Sequence, residues 1–428
     1  MTPGSEVNLK STLSYSYIQV TSEDKLVYLL VDVMPVAQSS LGHVPLNLSL
    51  VLDKSGSMYA QEKLEYVKKA VIYVIDQLRS DDISSIVAFA DRARVVVPSQ
   101  QIFDKGGVKN TVQRIDNVSV GGGTHMFKGI VAACDEVMKN YSPNRKNHVI
   151  LLSDGLTVAE SKCLKKCREE AAKGISFSTL GVGNDFNQKL MMDIADTTGG
   201  KSYYIDVPSD IPNIFAQELK GVQSVVVQNP TLHLKLSRNV QVKRAYKVKP
   251  LISDLGAPQV LNQVYSVKMS DLQKDEPQSI LYELILPSRQ AGSYRIAQSS
   301  LEYDVIMKGE KGKQIAQDIV IAYTSDYSLT GMVDSYVMNL VDLVSVFRQQ
   351  TRALELAQIG EHAKATQLLK TAATTLLDRG QKDLATTFLE EAKNIEQGVN
   401  TSVAGTKKLE YGTRKLTQML DDAFLPPI

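Results

Sequence analysis

The chain has 428 residues, of which 43% are hydrophobic, with 48 basic against 47 acidic side chains. That length and apolar content suffice for two or three cores and argue against a single small fold. The balanced charge provides no global field to draw the protein onto nucleic acid or an anionic membrane, so any charged recognition has to be local.

The opening MTPGSEVNLK lacks a basic segment followed by an apolar run, and no stretch of about eighteen apolar residues occurs. Neither a signal peptide nor a membrane span is expected. Three cysteines, Cys134, Cys163 and Cys167, are too few for a disulfide scaffold and agree with a reducing compartment, so a cytoplasmic location is expected.

Residues 7 to 17 place Val7, Leu9, Leu13, Tyr15 and Tyr17 at odd positions, and after a polar SEDK turn the run LVYLLVDVM follows at 26 to 34. Two strands are predicted. A hairpin alone is marginal in water, so these strands need partners, and the next antiparallel candidates lie about two hundred residues downstream.

From 45 to 219 strands alternate with helices. VPLNLSLVLD (44 to 53) is a strand, and the helix after it carries Leu64, Val67, Val71, Val74, Ile75 and Leu78 on one face. ISSIVAFA and ARVVVP are the next strands. A helix through Val108, Val112 and Ile115 leads to the loop SVGGGTHM and a helix from about 126 to 139. Then come the strand HVILLSDG, a helix at 158 to 172, the strand ISFSTLGVG, a helix at 186 to 196, the strand KSYYIDV and a last helix near 210 to 219. Strands apolar throughout, in strict alternation with helices, predict a mostly parallel sheet buried on both faces.

Residues 222 to 323 return to strands alone: VQSVVV, TLHLKLS, VQVKRAYKV, VLNQVYSVKM, SILYELILP, SYRIA, LEYDVIMK and QDIVIAY. They predict a β-sandwich or barrel that the two N-terminal strands complete, with the α/β domain inserted between. Lys243, Lys247 and Lys249 fall on one face of the strand 240 to 249, the pattern of a charged, protected sheet edge. From about 328 the chain is helical, with Gly360, Ala365, Thr366, Leu369 and Ala372 recurring twenty residues on as Gly380, Ala385, Thr386, Leu389 and Ala392. One such helical hairpin is too few for a repeat array and predicts helices packed on the sandwich. The expected domains are 1–40 with 221–325, 41–220, and 326–428.

Chemistry is carried by the stretch DKSGS at 53 to 57. Asp53, Ser55 and Ser57 offer hard oxygens at alternate positions of a tight turn, which suits Mg²⁺; a turn in which Ser57 caps the next helix is the plain alternative. Thr124 follows three glycines, and Asp154 ends a strand in SDG. All five oxygen donors are thus expected at the carboxyl edge of the sheet, where sites in such folds lie. DKSGS, GGGT and SDG together resemble the metal-ion-dependent adhesion site of von Willebrand factor A domains, DxSxS with a later Thr and a later Asp. The resemblance covers about 40 to 220. It implies a Rossmann-like A domain in which Ser55, Ser57 and Thr124 bind Mg²⁺ (or Mn²⁺ or Ca²⁺) directly. Asp53 and Asp154 then act through water or by orienting the hydroxyls.

Members of that family bind partner proteins by letting a partner Glu or Asp take the open metal position. The layout also resembles bacterial proteins in which an A domain inserted in a β-sandwich is followed by helices, some linked to Ser/Thr kinase and phosphatase partners and others to AAA+ ATPases. The function expected is a Mg²⁺-dependent, non-enzymatic interaction or scaffold protein. A metal-dependent phosphohydrolase is the competing class, against which stands the lack of a DxD pair at the strand end. Of the nearest general-base candidates, Lys54 is expected to point to solvent and His125 to serve the first turn of its helix. Cys163 and Cys167 share a helix face without further zinc ligands and are expected to be buried or half-buried thiols. GVGNDF at 181 to 186 lacks the third glycine of a dinucleotide loop. Self-association is a further reading, with Asp421 and Asp422 beside AFLPPI supplying an acidic ligand for a second copy.

Overall fold

A computed structural model of the chain describes residues 6–36, 44–305, 308–398 and 403–420. The tail with Asp421 and Asp422 lies outside the described residues. The chain forms two compact units: one takes the N-terminal strands, Pro230–Tyr303 and the chain from Gly312 on, and the other takes the intervening span up to Asn229.

The first unit begins with β1 (Val7–Leu13), β2 (Tyr17–Gln19) and β3 (Lys25–Pro35). The second unit contains β4 (Leu46–Asp53), α1 (Lys63–Gln77), β5 (Ile83–Phe89), β6 (Ala93–Gln101), α2 (Lys105–Gln113) and α3 (Met126–Lys139). It continues with β7 (Lys146–Ser153), α4 (Glu160–Ala171), β8 (Ser176–Val182), α5 (Gln188–Thr198), β9 (Ser202–Ile205) and α6 (Ile211–Gln223).

Its six strands lie in the order β6-β5-β4-β7-β8-β9, all parallel except β6, which runs antiparallel to β5. Every residue of β4, β5, β7 and β8 is buried, as strands covered on both faces must be. On one face Leu46, Leu48, Leu50 and Leu52 meet Leu64, Val67, Val71, Val74 and Ile75 of α1 and Phe215 and Leu219 of α6. Each such side chain contributes about 2 kcal/mol by leaving water. On the other face α3 comes so close that a Cβ on Gly129 would lie 2.8 Å from Phe89 and 3.1 Å from Val51. Strand order reverses at β4: the chain leaves it to build β5 and β6 on one side and β7 to β9 on the other. A crevice opens at such a reversal, between the carboxyl ends of β4 and β7.

In the first unit the strands after α6 are β10 (Val225–Leu236), β11 (Gln241–Lys249), β12 (Ser253–Asp254), β13 (Val260–Leu261), β14 (Val264–Lys268), β15 (Leu272–Gln273), β16 (Gln278–Leu286), β17 (Gly292–Val305) and β18 (Glu310–Thr324). One sheet has the order β1-β3-β16-β11-β12, and the other β13-β14-β10-β17-β18-β2, with β15 on β10. The sheets face each other through the edge-on Tyr265–Tyr282 ring pair and the Ser11–Ser299 hydroxyl contact at 2.9 Å. Helices α7 (Ser335–Gln358), α8 (His362–Asp378), α9 (Lys382–Glu396) and α10 (Val403–Arg414) share one core with Leu30, Tyr246, Val248, Ile252 and Leu281 of the first sheet. The twenty-residue repeat is α8 followed by α9.

Three expectations are corrected. VQSVVV does not start as a strand, because α6 runs on to Gln223. SYRIA and LEYDV, the described start of LEYDVIMK, belong to one long strand, β17. Finally, the lysine-rich strand is no exposed edge. β11 pairs with β16 and β12, and a bulge between Val242 and Arg244 buries Ala245 and Tyr246 in succession. A second register shift lies between Lys247 and Lys249, and Lys249 is buried with its ammonium 5.5 Å from the Tyr336 ring centroid.

Candidate metal centre

Asp53 ends β4, and the chain then turns across the carboxyl edge of the sheet. The side chain of Asp53 is buried. Its Oδ1 accepts the amide of Ser55 at 2.8 Å, and its Oδ2 accepts the hydroxyl of Ser153, the last residue of β7, at 2.6 Å. A carboxylate bonded to the amide two residues on closes an Asx turn, which fixes the serine loop. Both donors are neutral. Burial accordingly pushes the Asp53 carboxyl up to about 6, with the bonds from Ser153 and Ser55 opposing it.

Asp154 follows β7 and is buried as well. Its Oδ1 accepts the hydroxyl of Ser57 at 2.7 Å and that of Ser55 at 3.4 Å, and the two hydroxyls stand 3.0 Å apart. Thr124 enters from a third loop. A Cβ on Gly155 would lie 2.8 Å from Thr124 Oγ1, so only glycine lets the two loops close this far. Thr157 then ties them: its hydroxyl donates to the Thr124 carbonyl at 3.2 Å and accepts the Met126 amide at 3.0 Å. From the other side the Gly56 amide donates to the Gly122 carbonyl at 3.1 Å. These bonds bring Asp53, Ser55, Ser57 and Asp154 together, and Thr124 lies against Gly155 on the adjoining loop.

Two further charged residues belong to the site and escape the sequence motif. Lys63, at the start of α1, places Nζ 2.6 Å from Asp154 Oδ2. Its signal was a lysine in register with Val67, Ala70 and Val74 on the buried helix face, since lysine is buried only when paired. The second, Asp91, stands just after β5 and accepts the Gly122 amide at 3.0 Å; bonds from Gly122 and Gly123 hold its carboxyl below the usual range. Cβ atoms on Gly121 and Gly123 would each fall 2.3 Å from an Asp91 oxygen, and Gly121 has φ +92°. The three glycines thus wrap an aspartate as well as approach Thr124. An acidic residue closely following a strand, at the same edge as DKSGS, was the available signal.

Lys54 does not point to solvent. It is only 7% exposed, with its ammonium 5.4 Å from the Tyr59 ring centroid. His125 precedes the first turn of α3, donates its amide to the Ala90 carbonyl at 2.8 Å, and has no partner for Nδ1 among the described residues. Cys134, Cys163 and Cys167 are free and buried, and burial pushes their thiols up, to about 12 for Cys134 and about 11 for Cys163. They are protonated and unreactive.

The donor set suits a hard divalent cation: hydroxyl and carboxylate oxygens, a buried carboxylate met only by neutral donors, and a cradle that an added Cβ would fill. Among the described residues no group of three His, Cys, Asp or Glu side chains could hold a metal, so a cation at this edge would need hydroxyl ligands. Among them, too, no helix is long and apolar enough to cross a membrane.

Residues 47–217 match the model of the von Willebrand factor type A domain, and residues 335–419 that of the Sll0103-like, C-terminal alpha-helical domain. The uncharacterized protein sll0103 of Synechocystis sp. is 29% identical over 391 residues, which is 90% of this chain and 89% of that protein. A von Willebrand factor type A protein from Catenulispora acidiphila superposes with a TM-score of 0.77 at 17% identity, covering 97% of this chain and 98% of that one. The ArnB paralog VWA2 from Sulfolobus acidocaldarius superposes with a TM-score of 0.61 at 18% identity, covering 96% and 99%. The two structural likenesses are likenesses of fold. Proteins with such domains typically mediate protein–protein interactions, and the domains often bind a divalent metal.

Proposed function

Because this chain carries a von Willebrand factor type A domain followed by an Sll0103-like C-terminal helical domain, we propose that it is a Mg²⁺-dependent, non-enzymatic interaction or scaffold protein. Its A domain captures an acidic side chain of a partner. The observation that carries this reading is the ligand set, in which the Ser55 and Ser57 hydroxyls converge on Asp154 with Thr124 beside them. Ser55, Ser57 and Thr124 would hold the cation directly, and Asp53 and Asp154 through water or by orienting the hydroxyls. A divalent cation so bound supplies a poorly neutralised charge with an open coordination position, which a carboxylate fills. Asp53 fixes Ser55 through its amide, Asp154 orients both serine hydroxyls, and Gly155 keeps room for Thr124.

Catalysis by one metal also needs a positioned base or nucleophile. Lys54 is engaged with Tyr59, and among the described residues nothing orients His125 through Nδ1. Buried, unpaired thiols suit a reducing compartment such as the cytoplasm.

Affinity purification from native lysate in Mg²⁺ or in EDTA tests the reading. Partners should be retained by wild type in Mg²⁺ and lost in EDTA and by Asp53→Ala or Thr124→Ala. Folded variants that retain every partner would overturn it.

A further inference from the structure

Lysine is among the residues least often buried, because its ammonium must leave water, and where it is buried it is paired. The Lys63 side chain is 10% exposed and that of its partner Asp154 is fully buried, with Nζ and Oδ2 2.6 Å apart. The backbone that leads there is strained. Gln61 and Glu62 have φ of 53° and 55°, two successive left-handed residues that carry a Cβ, in the short turn between Ser57 and α1. Strain of this kind persists where the surrounding structure requires it, and it clusters at functional sites. Gly183, which follows β8 with φ +73°, lies beside the ammonium, and a Cβ there would make ordinary contact with Nζ at 3.7 Å. The Asp154 carboxylate is thus divided: Oδ1 faces the hydroxyls of Ser57 and Ser55, and Oδ2 faces Lys63.

We propose that Lys63 is the resident counter-ion of the metal centre, a positioning residue that holds Asp154 and neutralises it, so that the site binds its cation weakly and an external carboxylate strongly. The inference rests on the metal-binding reading above. Whatever the count of the surrounding carboxylates, Asp53, Asp91 and Asp154 among them, the loaded centre carries one more positive charge with Lys63 than without it. Without Lys63 the loaded centre has that much less attraction to offer an incoming carboxylate.

The test uses the full chain stripped with a chelator, titrated calorimetrically first with Mg²⁺ and then, loaded, with acetate. Wild type is compared with Lys63→Met, Lys63→Gln and Lys63→Arg. Removing one positive charge a few ångströms from a divalent ion should tighten Mg²⁺ binding about tenfold in both neutral variants and weaken acetate binding to the loaded protein. The same variants should melt at lower temperature without metal and recover more on adding Mg²⁺, because binding to the folded state is linked to stability. Lys63→Arg should match wild type in both titrations. A merely structural lysine gives a different pattern, in which the neutral variants lose stability and Mg²⁺ affinity together; that result, or unchanged affinities, overturns the proposal. Failure of wild type to bind Mg²⁺ at all refutes the metal-binding reading instead.

Discussion

Replacing Gly155 with alanine adds one methyl group where two loops of the candidate site meet. Its Cβ would stand 2.8 Å from Thr124 Oγ1 and 3.5 Å from both Cβ and Cγ2 of Thr124. Non-bonded heavy atoms rest at about 3.5 Å, so the hydroxyl has to retreat by roughly half an ångström or more. The peptide that follows Thr124 is held on both sides, by Thr157 on its carbonyl and by the His125–Ala90 bond on its amide. Thr124 cannot follow by a shift of the whole loop without breaking these. Mg²⁺ requires ligands at about 2.0–2.1 Å in near-octahedral geometry, and a displaced hydroxyl leaves that shell. One polar contact to a charged partner is worth about 1.5–3 kcal/mol, or roughly ten- to hundredfold in Kd. Overpacking should cost about 1–2 kcal/mol of folding stability, which the rest of the A domain can absorb. Calorimetric titration with Mg²⁺ beside a urea unfolding curve reads both quantities. A folded Gly155→Ala protein with wild-type Mg²⁺ affinity would refute Thr124 as a ligand.

Asp91→Ala should free the glycine loop and lower Mg²⁺ affinity about tenfold, the cost expected of a residue that orients a ligand, and the same titration checks it. Glu218 on α6 accepts from Ser178, Tyr203 and His148 inside the domain. Burial raises its carboxyl, but the bonds and charge of His148, the charge of Lys201 and the Ser178 bond outweigh this and hold it at about 2. The depressed value means stability that is present above about 4.5 and lost as pH falls toward 2. Glu218→Gln should cost about 3–5 kcal/mol in urea at neutral pH and flatten that acid dependence; equal unfolding midpoints would contradict it. Asp53 has the opposite sign, its carboxyl being raised from 3.8 to about 6. Metal-free protein should gain about 3 kcal/mol as pH falls through that window, whereas Mg²⁺ affinity should fall as the proton competes. Asp53→Asn should remove the gain, and a wild-type stability that declines on acidification between 6 and 4 would show the shift to be wrong.

The motif was legible because Asp53 and Asp154 sit at strand ends, announced by apolar runs such as LSLVLD and VILLS, and because three glycines precede Thr124. Lys63 stands in register with the apolar face of α1, but the pattern names no partner for it, because the carboxylate that pairs with it lies 91 residues on at Asp154. Asp91 was hidden because its partners are backbone amides, which have no sequence signature. In the first unit the polar stretch Gln298–Ser299–Ser300 read as a break between two strands. Ser299 is instead buried and bonds across the sandwich to Ser11, so β17 runs straight through. The lysine face of β11 failed for another reason, since two register shifts, between Val242 and Arg244 and between Lys247 and Lys249, break its alternation. The parallel pairing of β2 with β18 joins segments about three hundred residues apart, and local pattern carries no trace of it.

The central claim is that a neutral-hydroxyl cradle holds a divalent ion and leaves it open to a carboxylate. The most direct measurement is calorimetric titration of chelator-stripped full-length protein with Mg²⁺, in parallel with Ser55→Ala and Thr124→Ala. The account predicts one ion bound per wild-type chain, with affinity reduced at least tenfold in each folded variant. Equal Mg²⁺ binding by all three proteins would contradict it.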